Sequence, residues 1–318
     1  MKKKKWLKII LGIISILLII NIVAGFFFYN LAIERNVKDF LVGNADLEVT
    51  AEAMDVFLDG DWREWVAEQD YEEMELTSDD GLKLQGSLLR AEEPTNKTVV
   101  LVHGYLGRGT DMGLYAEYYY ETLGYNVFFA DMRGHGDSEG DYIGFGWHDR
   151  LDVIDWTDLL LQKLGPDTEI VVHGVSMGAA AVLMASGEHI PKQVKAIVAD
   201  SPYTNVYDLF AYQMKRMYHL PAVPILPTTS AVTKMRAGYS LTEASALDQV
   251  KKAEVPILYV HGEADDFVPT QMAEELYENT KSDAEIMKVE GAGHSESFVV
   301  AKEKYTEKLE AFLGEYME

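Results

Sequence analysis

The stretch IVVHGVSMGA, residues 170–179, runs from an apolar segment through Gly-x-Ser-x-Gly into a segment of small residues. A short β-branched strand, a tight turn and a helix form the context that a nucleophile elbow requires. Gly174 and Gly178 suit such a turn, because side chains at these positions would collide with a neighbouring strand or helix. Ser176 is then left projecting at the start of the helix and is the candidate nucleophile. A serine that only caps an ordinary helix is the alternative.

Around this stretch, short apolar runs alternate with segments of helical spacing. Residues 74–77 and 82–89 flank Asp79-Asp80-Gly81, which predicts a β-hairpin. Further strands are predicted at 98–102, 127–130, 170–172, 196–199, 257–260 and 286–289, and helices at 112–123, 147–164, 177–187, 270–280 and 297–313. Strand and helix repeated in this order predict an α/β fold with a mostly parallel sheet covered by helices on both faces.

One interval breaks the alternation. Roughly 55 residues separate the strand ending at Asp200 from the strand starting near Pro256, which is too long for one crossover helix. A structureless loop of that length is uncommon in a compact domain, so we predict an inserted helical cap over residues 203–245. Its many apolar and aromatic side chains are typical of packing, with a substrate pocket as the alternative.

The N-terminus predicts a membrane anchor. Residues 9–29 read IILGIISILLIINIVAGFFFY, and as a helix they would cover about 30 Å, the thickness of the bilayer hydrocarbon. The lysine cluster before them predicts a cytoplasmic N-terminus and an extracytoplasmic catalytic domain. A cleaved signal peptide is the alternative, but the apolar run continues beyond its weak cleavage site at residues 23–25.

These patterns divide the chain into three parts. We predict that residues 1–33 form the cytoplasmic lysine cluster and a single transmembrane anchor. Residues 34–70 are predicted to form a helical stem, with tryptophans that pack onto the domain or, alternatively, lie at the membrane interface. Residues 71–318 are predicted to form the α/β domain that includes the cap.

Composition excludes several classes of function. With 28 basic and 52 acidic residues the chain has a net charge of −24, and such a field repels nucleic acid. The chain has no cysteine, which excludes a disulfide framework, a thiolate metal site and a cysteine nucleophile. No His-Glu-x-x-His or comparable ligand cluster appears, and we expect neither a metal nor an organic cofactor.

A serine hydroxyl becomes a useful nucleophile only when a base removes its proton. His294 closes the segment Gly291-Ala292-Gly293-His294, directly after the last predicted strand, and is the candidate base. His103 and His261 each begin a His-Gly pair after a strand, His173 precedes the elbow, and His135 lies in a glycine-rich loop. For these four we expect structural or backbone-positioning roles.

The base in turn requires a carboxylate to orient it. Asp265 follows the strand ending at Val260, at the edge of a parallel sheet where functional groups gather. It gives the chain order Ser176, Asp265, His294. Asp266 and Asp200 are the alternatives.

Backbone amides are needed to stabilise an oxyanion. The N–H of Met177 lies at the positive end of its predicted helix and is one candidate donor. The N–H of Tyr105, after the strand that ends at His103-Gly104, is the other, unless Gly-Tyr-Leu-Gly is only a turn.

Several motifs together resemble those of one superfamily. They are the elbow, Val102-His103-Gly104, DMRGHGDS at 131–138, HGEADDFVP at 261–269 and GAGH at 291–294. From about residue 71 the chain resembles α/β hydrolases, particularly membrane-anchored bacterial serine hydrolases similar to monoacylglycerol lipases and serine aminopeptidase-like hydrolases. The resemblance implies an eight-stranded sheet, a cap after the sixth strand, and catalytic roles for Ser176, Asp265 and His294.

The expected activity is hydrolysis of a small-molecule carboxylic ester through an acyl-serine intermediate, on an amphiphilic or lipid-like substrate. Aminopeptidase-like or acyltransferase activity on the same triad is the alternative, since this scaffold hosts many reactions. An acidic pocket that could hold a substrate ammonium would favour the aminopeptidase. A non-catalytic binding protein with the same fold is a further alternative.

Overall fold

The computed structural model describes residues 2–36, 56–57 and 60–317 of the 318-residue chain. Its strands are β1 (Glu72–Thr77), β2 (Lys83–Leu89), β3 (Lys97–Val102), β4 (Asn126–Ala130), β5 (Glu169–Val175), β6 (Val194–Asp200), β7 (Ile257–Gly262) and β8 (Ala284–Val289). Its α-helices are α1 (Lys2–Ala32), α2 (Trp62–Glu68), α3 (Gly113–Glu117), α4 (Asp149–Leu164), α5 (Met177–Ala185), α6 (Val206–Tyr218), α7 (Ile225–Ala237), α8 (Ala246–Val250), α9 (Thr270–Asn279), α10 (Ser297–Val300) and α11 (Lys302–Tyr316).

The strands form one eight-stranded sheet in the order β1-β2-β4-β3-β5-β6-β7-β8. The hairpin of β1 and β2 is antiparallel, β2 also pairs with β4 in antiparallel fashion, and β3 to β8 run parallel to one another. The prediction of a mostly parallel, eight-stranded α/β sheet is therefore confirmed. Because parallel strands end at the same edge, the loops after β3, β5, β6, β7 and β8 gather at one side of the molecule.

Both faces of the sheet are buried, which explains why its strands are continuous apolar runs. Alternate residues point to opposite faces, so Val100 belongs to one hydrophobic cluster and Val99 to the other. On the first face Trp156 of α4 packs against Phe128 of β4, with ring centroids 4.9 Å apart. On the second face Phe312 of α11 is 1% exposed.

The helix predicted over residues 112–123 is irregular. A 3₁₀ turn at Gly109–Met112 leads into α3, and a π-turn follows at Tyr118–Thr122. Gly113 lies against α2, where an added Cβ would come within 2.3 Å of a Val66 methyl group. The close approach of these two helices therefore requires glycine at position 113.

The predicted stem is described only in part, since residues 37–55 and 58–59 lie outside the described residues. Glu34 forms an isolated bridge with Tyr142 and is not helical. In α2, Trp62 is 4% exposed, and its indole N–H donates to the Val56 carbonyl at 2.8 Å. The described part of this segment thus packs onto the α/β domain.

Two helices of the segment between β6 and β7, α6 and α7, cover the carboxyl edge of the sheet. The side chain of Asn205 caps α6 by accepting from the Asp208 N–H at 2.8 Å. His219 ends α6 in the left-handed conformation, at φ 53°. Helix α6 has one apolar side, from which Leu209 and Met214 are buried.

Helix α1 is long and apolar enough to cross a membrane, judged by its length and composition. The side chains of residues 9–20 are exposed, whereas burial begins at Asn21 and includes Gly25 and Tyr29. The last three turns of α1 pack against α7, and an added Cβ at Gly25 would meet the Thr228 methyl group at 2.6 Å.

Candidate active site

Ser176 occupies a strained turn between β5 and α5. Its backbone has φ 55° and ψ −114°, a conformation that L-residues rarely adopt. Both flanking positions have room only for glycine. A Cβ added at Gly174 would lie 2.3 Å from the carbonyl oxygen of Gly178, and a Cβ added at Gly178 would lie 2.0 Å from the carbonyl oxygen of Val102. The turn is held by the Ser176 N–H, which donates to the Asp200 carbonyl at 2.8 Å.

The three side chains named from the sequence lie together. The His294 ring, on the loop after β8, has Nδ1 2.7 Å from Asp265 Oδ2 and Nε2 2.7 Å from Ser176 Oγ. An ionised carboxylate can only accept, so Nδ1–H donates to Asp265 and Nε2 accepts from the serine hydroxyl. This is the arrangement in which an imidazole can remove the proton from a serine hydroxyl.

Asp265 is buried and fully supplied with donors. Its Oδ1 accepts from the backbone N–H groups of Phe267 at 2.9 Å and Val268 at 2.8 Å. Its Oδ2 lies 3.1 Å from His261 Nε2 as well as next to His294. Burial opposes ionisation, but the charge interaction with His294 and the hydrogen bonds from both histidines outweigh it, so the pKa of Asp265 lies well below its usual value.

The two alternative carboxylates have other surroundings. Asp266 is exposed, and its backbone carbonyl accepts from Tyr212. Asp200 is buried at the end of β6, where it accepts from Tyr115 at 3.2 Å and from Ser201 at 3.0 Å. Burial raises the pKa of Asp200, against which the hydrogen bond from Ser201 acts in the opposite direction.

The two residues suggested as oxyanion donors line the same cavity as Ser176. Met177 is the first residue of α5, where a backbone N–H has no acceptor within the helix. Gly104, just before Tyr105, lies beside the nucleophile, and an added Cβ there would be 3.4 Å from Ser176 Cβ. The backbone can therefore approach the serine closely at this point, and the role of both amides stays a prediction.

Four histidines have positioning or packing contacts, as expected from the sequence. His103 Nδ1–H donates to the Gly104 carbonyl at 2.7 Å, and its Nε2 accepts from the Met132 N–H at 3.0 Å. His135 contacts the Arg133 carbonyl at 3.0 Å. His173 is buried beside two tyrosine hydroxyls, and burial lowers its pKa to about 3. His261 contacts the Val268 carbonyl at 2.8 Å.

Two further contacts of the site had no signal in the sequence. His261 was expected to have a structural or backbone-positioning role, and no pattern indicated that its Nε2 also reaches the carboxylate of Asp265. Ser201 was not singled out, although its Oγ accepts from the Ser295 N–H at 3.1 Å and so holds the loop of His294. A serine after a buried strand is too common to reveal such a contact.

A cavity of about 810 Å³, counting its open mouth, adjoins Ser176. Its walls are Phe28, Leu31, Ala32, Tyr105, Phe145, Ser176, Met177, Tyr203, Leu209, Phe210, Gln213, Met214, Met217, Tyr218, Leu226, Phe267 and Val268. None of these described residues is charged, so the cavity suits an apolar group and offers no carboxylate to a substrate ammonium.

The described residues contain no group of three or more His, Asp or Glu side chains placed to hold a metal ion.

Comparison with known proteins shows which family this chain belongs to. Residues 114–318 match the prolyl oligopeptidase family, Peptidase_S9. Protein YqkD of Bacillus subtilis is 30% identical over 223 residues, which cover 70% of this chain and 73% of that protein. Lysophosphatidylserine lipase ABHD12 of Macaca fascicularis is 27% identical over 188 residues, covering 56% of this chain and 44% of that protein.

Among solved structures, esterase Pf2001 of Pyrococcus furiosus superposes with a TM-score of 0.64 at 25% identity, covering 80% of this chain and 96% of that one. These similarities confirm the resemblance to α/β hydrolases. Because the family match covers well over half of this chain, the protein is a hydrolase that belongs to the prolyl oligopeptidase family.

Proposed function

We propose that this protein hydrolyses carboxylic esters through an acyl intermediate on Ser176. The observation that supports the proposal is the pair of 2.7 Å contacts that His294 makes, one to Ser176 and one to Asp265. A serine in a strained turn, a base within hydrogen-bond reach and a buried carboxylate behind the base are the parts that acyl transfer requires.

The reaction follows from these positions. Ser176 Oγ attacks the ester carbonyl carbon while its proton passes to His294 Nε2, and the backbone N–H groups of Tyr105 and Met177 stabilise the oxyanion. The tetrahedral intermediate collapses, and the leaving alcohol takes the proton from His294. A water molecule then attacks the acyl-serine with His294 again as base, which releases the carboxylic acid and restores the serine.

The cavity walls favour an ester with an apolar acyl group. The described lining contains no charged side chain, so an N-terminal ammonium of a peptide has no counter-ion there. The structural similarity to an esterase and the sequence similarity to a lipase point in the same direction. The family match itself favours a second candidate, the hydrolysis of peptides.

The protein acts at a membrane in this proposal. Helix α1 is the single transmembrane anchor, and the lysines before it keep the N-terminus in the cytoplasm. The catalytic domain then lies outside the cytoplasm, with a small-molecule acyl ester as its substrate. The large negative net charge argues against nucleic acid as a partner.

Ser176→Ala tests the proposal directly. We expect the purified full-length variant to lose labelling by a fluorophosphonate probe and to lose at least about 10⁴-fold in turnover of p-nitrophenyl acetate, because it lacks the nucleophile. The matched control is Ser186→Ala, a buried serine at the end of α5. Undiminished hydrolysis by Ser176→Ala would refute the proposal.

The two candidate activities are separated by their substrates. Turnover of a monoacylglycerol, compared with that of an aminoacyl-naphthylamide, is expected to favour the ester by at least about tenfold, since an unpaired ammonium is costly to bury. The opposite preference would establish the peptidase.

A further inference from the structure

The end of the membrane helix forms part of the candidate active site. Phe28, Leu31 and Ala32 of α1 line the cavity beside Ser176, together with cap residues such as Leu226. A helix that serves only as a tether does not need to line a catalytic cavity. This end of α1 is fixed both to the cap helices and to the catalytic domain.

The cap side of α1 is packed closely. Asn21 Nδ2–H donates to Thr228 Oγ1 at 2.5 Å, and Gly25 permits the same threonine to approach the helix backbone. The rings of Phe28 and Tyr218 meet edge to face, with centroids 5.5 Å apart. These contacts join three turns of α1 to both cap helices.

The chain that follows α1 is fastened to the catalytic domain. Tyr105, one of the candidate oxyanion residues, donates its hydroxyl hydrogen to the Ala32 carbonyl at 2.7 Å. Ile33 is fully buried, and the Arg35 guanidinium donates to the carbonyls of Ser138 at 2.7 Å and Gly136 at 2.8 Å. Helix α1 therefore leaves the domain directly from the cavity wall.

The cap exposes an apolar turn close to this helix. Residues 220–227 read LPAVPILP, without a charge, and Leu220 and Val223 are 37% and 65% exposed. Tyr218 before the turn and Thr228 after it both contact α1. The turn is thus held beside a helix whose own surface is apolar.

The contacts also give the depth of the cap in a bilayer. Asn21 precedes Tyr29 by eight residues, or about 12 Å along the helix. With residues 9–29 as the proposed transmembrane segment, Thr228 in the first turn of α7 is level with the acyl chains. Arg236, near the end of the same helix, lies over the Phe26 ring at 5.9 Å and is closer to the headgroups. An apolar turn in the acyl region and a cation nearer the headgroups suit a membrane surface.

From this arrangement we infer that α1 is a wall of the acyl-binding pocket, and that the substrate is an ester with one long acyl chain and a polar headgroup that enters from the outer leaflet. The inference rests on the proposed ester hydrolysis. The acyl chain lies along Leu31 and the cap residues, while the headgroup stays on the solvent side of Ser176. An apolar chain thereby passes from lipid to protein without crossing water, which avoids the cost of exposing it.

The experiment measures chain-length preference in the purified full-length protein in lipid vesicles. The quantity is the ratio of kcat/KM for 1-monooleoylglycerol to that for p-nitrophenyl acetate. Leu31→Trp adds bulk inside the cavity and is expected to lower this ratio at least about tenfold, because overpacking excludes the long chain. Leu18→Trp, on the same helix and 57% exposed, is the matched control and is expected to keep the wild-type ratio.

A second pair of variants tests entry from the membrane. Val223→Asp places a charge in the apolar turn and is expected to lower the ratio at least about tenfold in vesicles, since a charge is costly in the acyl region. The control is Glu254→Gln, on a surface away from the turn, with an unchanged ratio. Phe28→Ala, which enlarges the cavity, keeps the test decisive if Leu31→Trp does not fold, and is expected to raise the ratio.

The outcomes separate the two proposals. Unchanged ratios in Leu31→Trp, Phe28→Ala and Val223→Asp, with p-nitrophenyl acetate still hydrolysed and Ser176 still labelled, would overturn the inference and leave ester hydrolysis standing. A wild-type protein that neither labels at Ser176 nor cleaves any ester would overturn both.

Discussion

Two neighbouring parallel strands lead to buried aspartates whose pKa values are shifted in opposite directions. Asp200 closes β6, and β7 next to it leads within a few residues to Asp265. Asp200 is surrounded by the hydroxyls of Tyr115 and Ser201, and burial raises its pKa. Asp265 lies between two imidazoles, and its pKa is lowered although it is also buried. Burial alone therefore does not decide the direction in which the pKa of a carboxylate is shifted, since the groups that face the carboxylate also contribute.

This difference assigns separate tasks to the two acids. Asp265 remains ionised and can hold the imidazolium of His294 that forms during catalysis. Asp200 accepts a hydrogen bond from the Ser201 hydroxyl, and the oxygen of that hydroxyl accepts from the Ser295 N–H. Asp200 thus positions the loop that carries His294 through Ser201.

Replacement of Asp265 is expected to have the largest effect on this comparison. In Asp265→Asn the side-chain shape is kept, but the amide no longer selects the productive tautomer of His294, and kcat for p-nitrophenyl acetate should fall about 10⁴-fold. In Asp200→Asn the fall should be less than about tenfold, since the loop contact is preserved in part. Equal losses in the two variants would show that the acids do not have separate tasks.

His261 sharpens the same comparison with an intermediate effect. It is a positioning residue whose single Nε2–H is shared between Asp265 Oδ2 at 3.1 Å and the Val268 carbonyl at 2.8 Å. His261→Leu leaves Asp265 with one fewer donor, and we expect kcat to fall about tenfold. His261→Gln can still donate and should recover most of that loss. Measured initial rates that are equally low in both variants would indicate only a packing role.

The smallest expected effect is on stability as a function of pH. The pKa of Asp265 is lowered on folding, so its contribution is present above about pH 4 and is lost as the pH falls below that value. The pKa of Asp200 is raised, so its contribution diminishes as the pH rises above about 4.

Urea unfolding of the full chain in detergent between pH 3 and pH 7 measures these contributions. Relative to wild type, Asp200→Asn should gain stability as the pH rises, and Asp265→Asn should lose it. Ser186→Ala provides a control that adds no titratable group. Parallel pH profiles for the two aspartate variants would contradict the opposite directions of the pKa shifts.

Much of the fold was predictable because its signals are local. The strands around Ser176 are short β-branched runs. The elbow needs its two glycines because an added Cβ at either would lie only 2.0 to 2.3 Å from a backbone carbonyl oxygen. Asp265 and His294 were recognisable because both follow strands whose ends meet at one edge. The sequence favoured Asp265, with Asp266 and Asp200 as alternatives. The contact itself, 2.7 Å from Asp265 Oδ2 to His294 Nδ1, is visible only in the structure.

Other features depend on contacts between distant segments. The helix predicted at 112–123 is irregular where Gly113 meets α2, a contact that no local pattern records. Leu31 and Ala32 were assigned to the anchor because their surroundings in the chain are apolar. An apolar side chain has the same hydropathy whether it faces lipid or an apolar cavity, so hydropathy alone does not distinguish the two.

The amino-acid sequence by itself determined the α/β alternation, the nucleophile elbow and the types of residue available for acyl transfer, because each is specified by side chains within a few positions of one another. Only the tertiary structure decided which acid serves His294, how Asp200 and Asp265 differ, and that the end of α1 borders the cavity. Those properties depend on distances and burial between segments that lie from 29 to 207 residues apart in the chain, and no local pattern contains them.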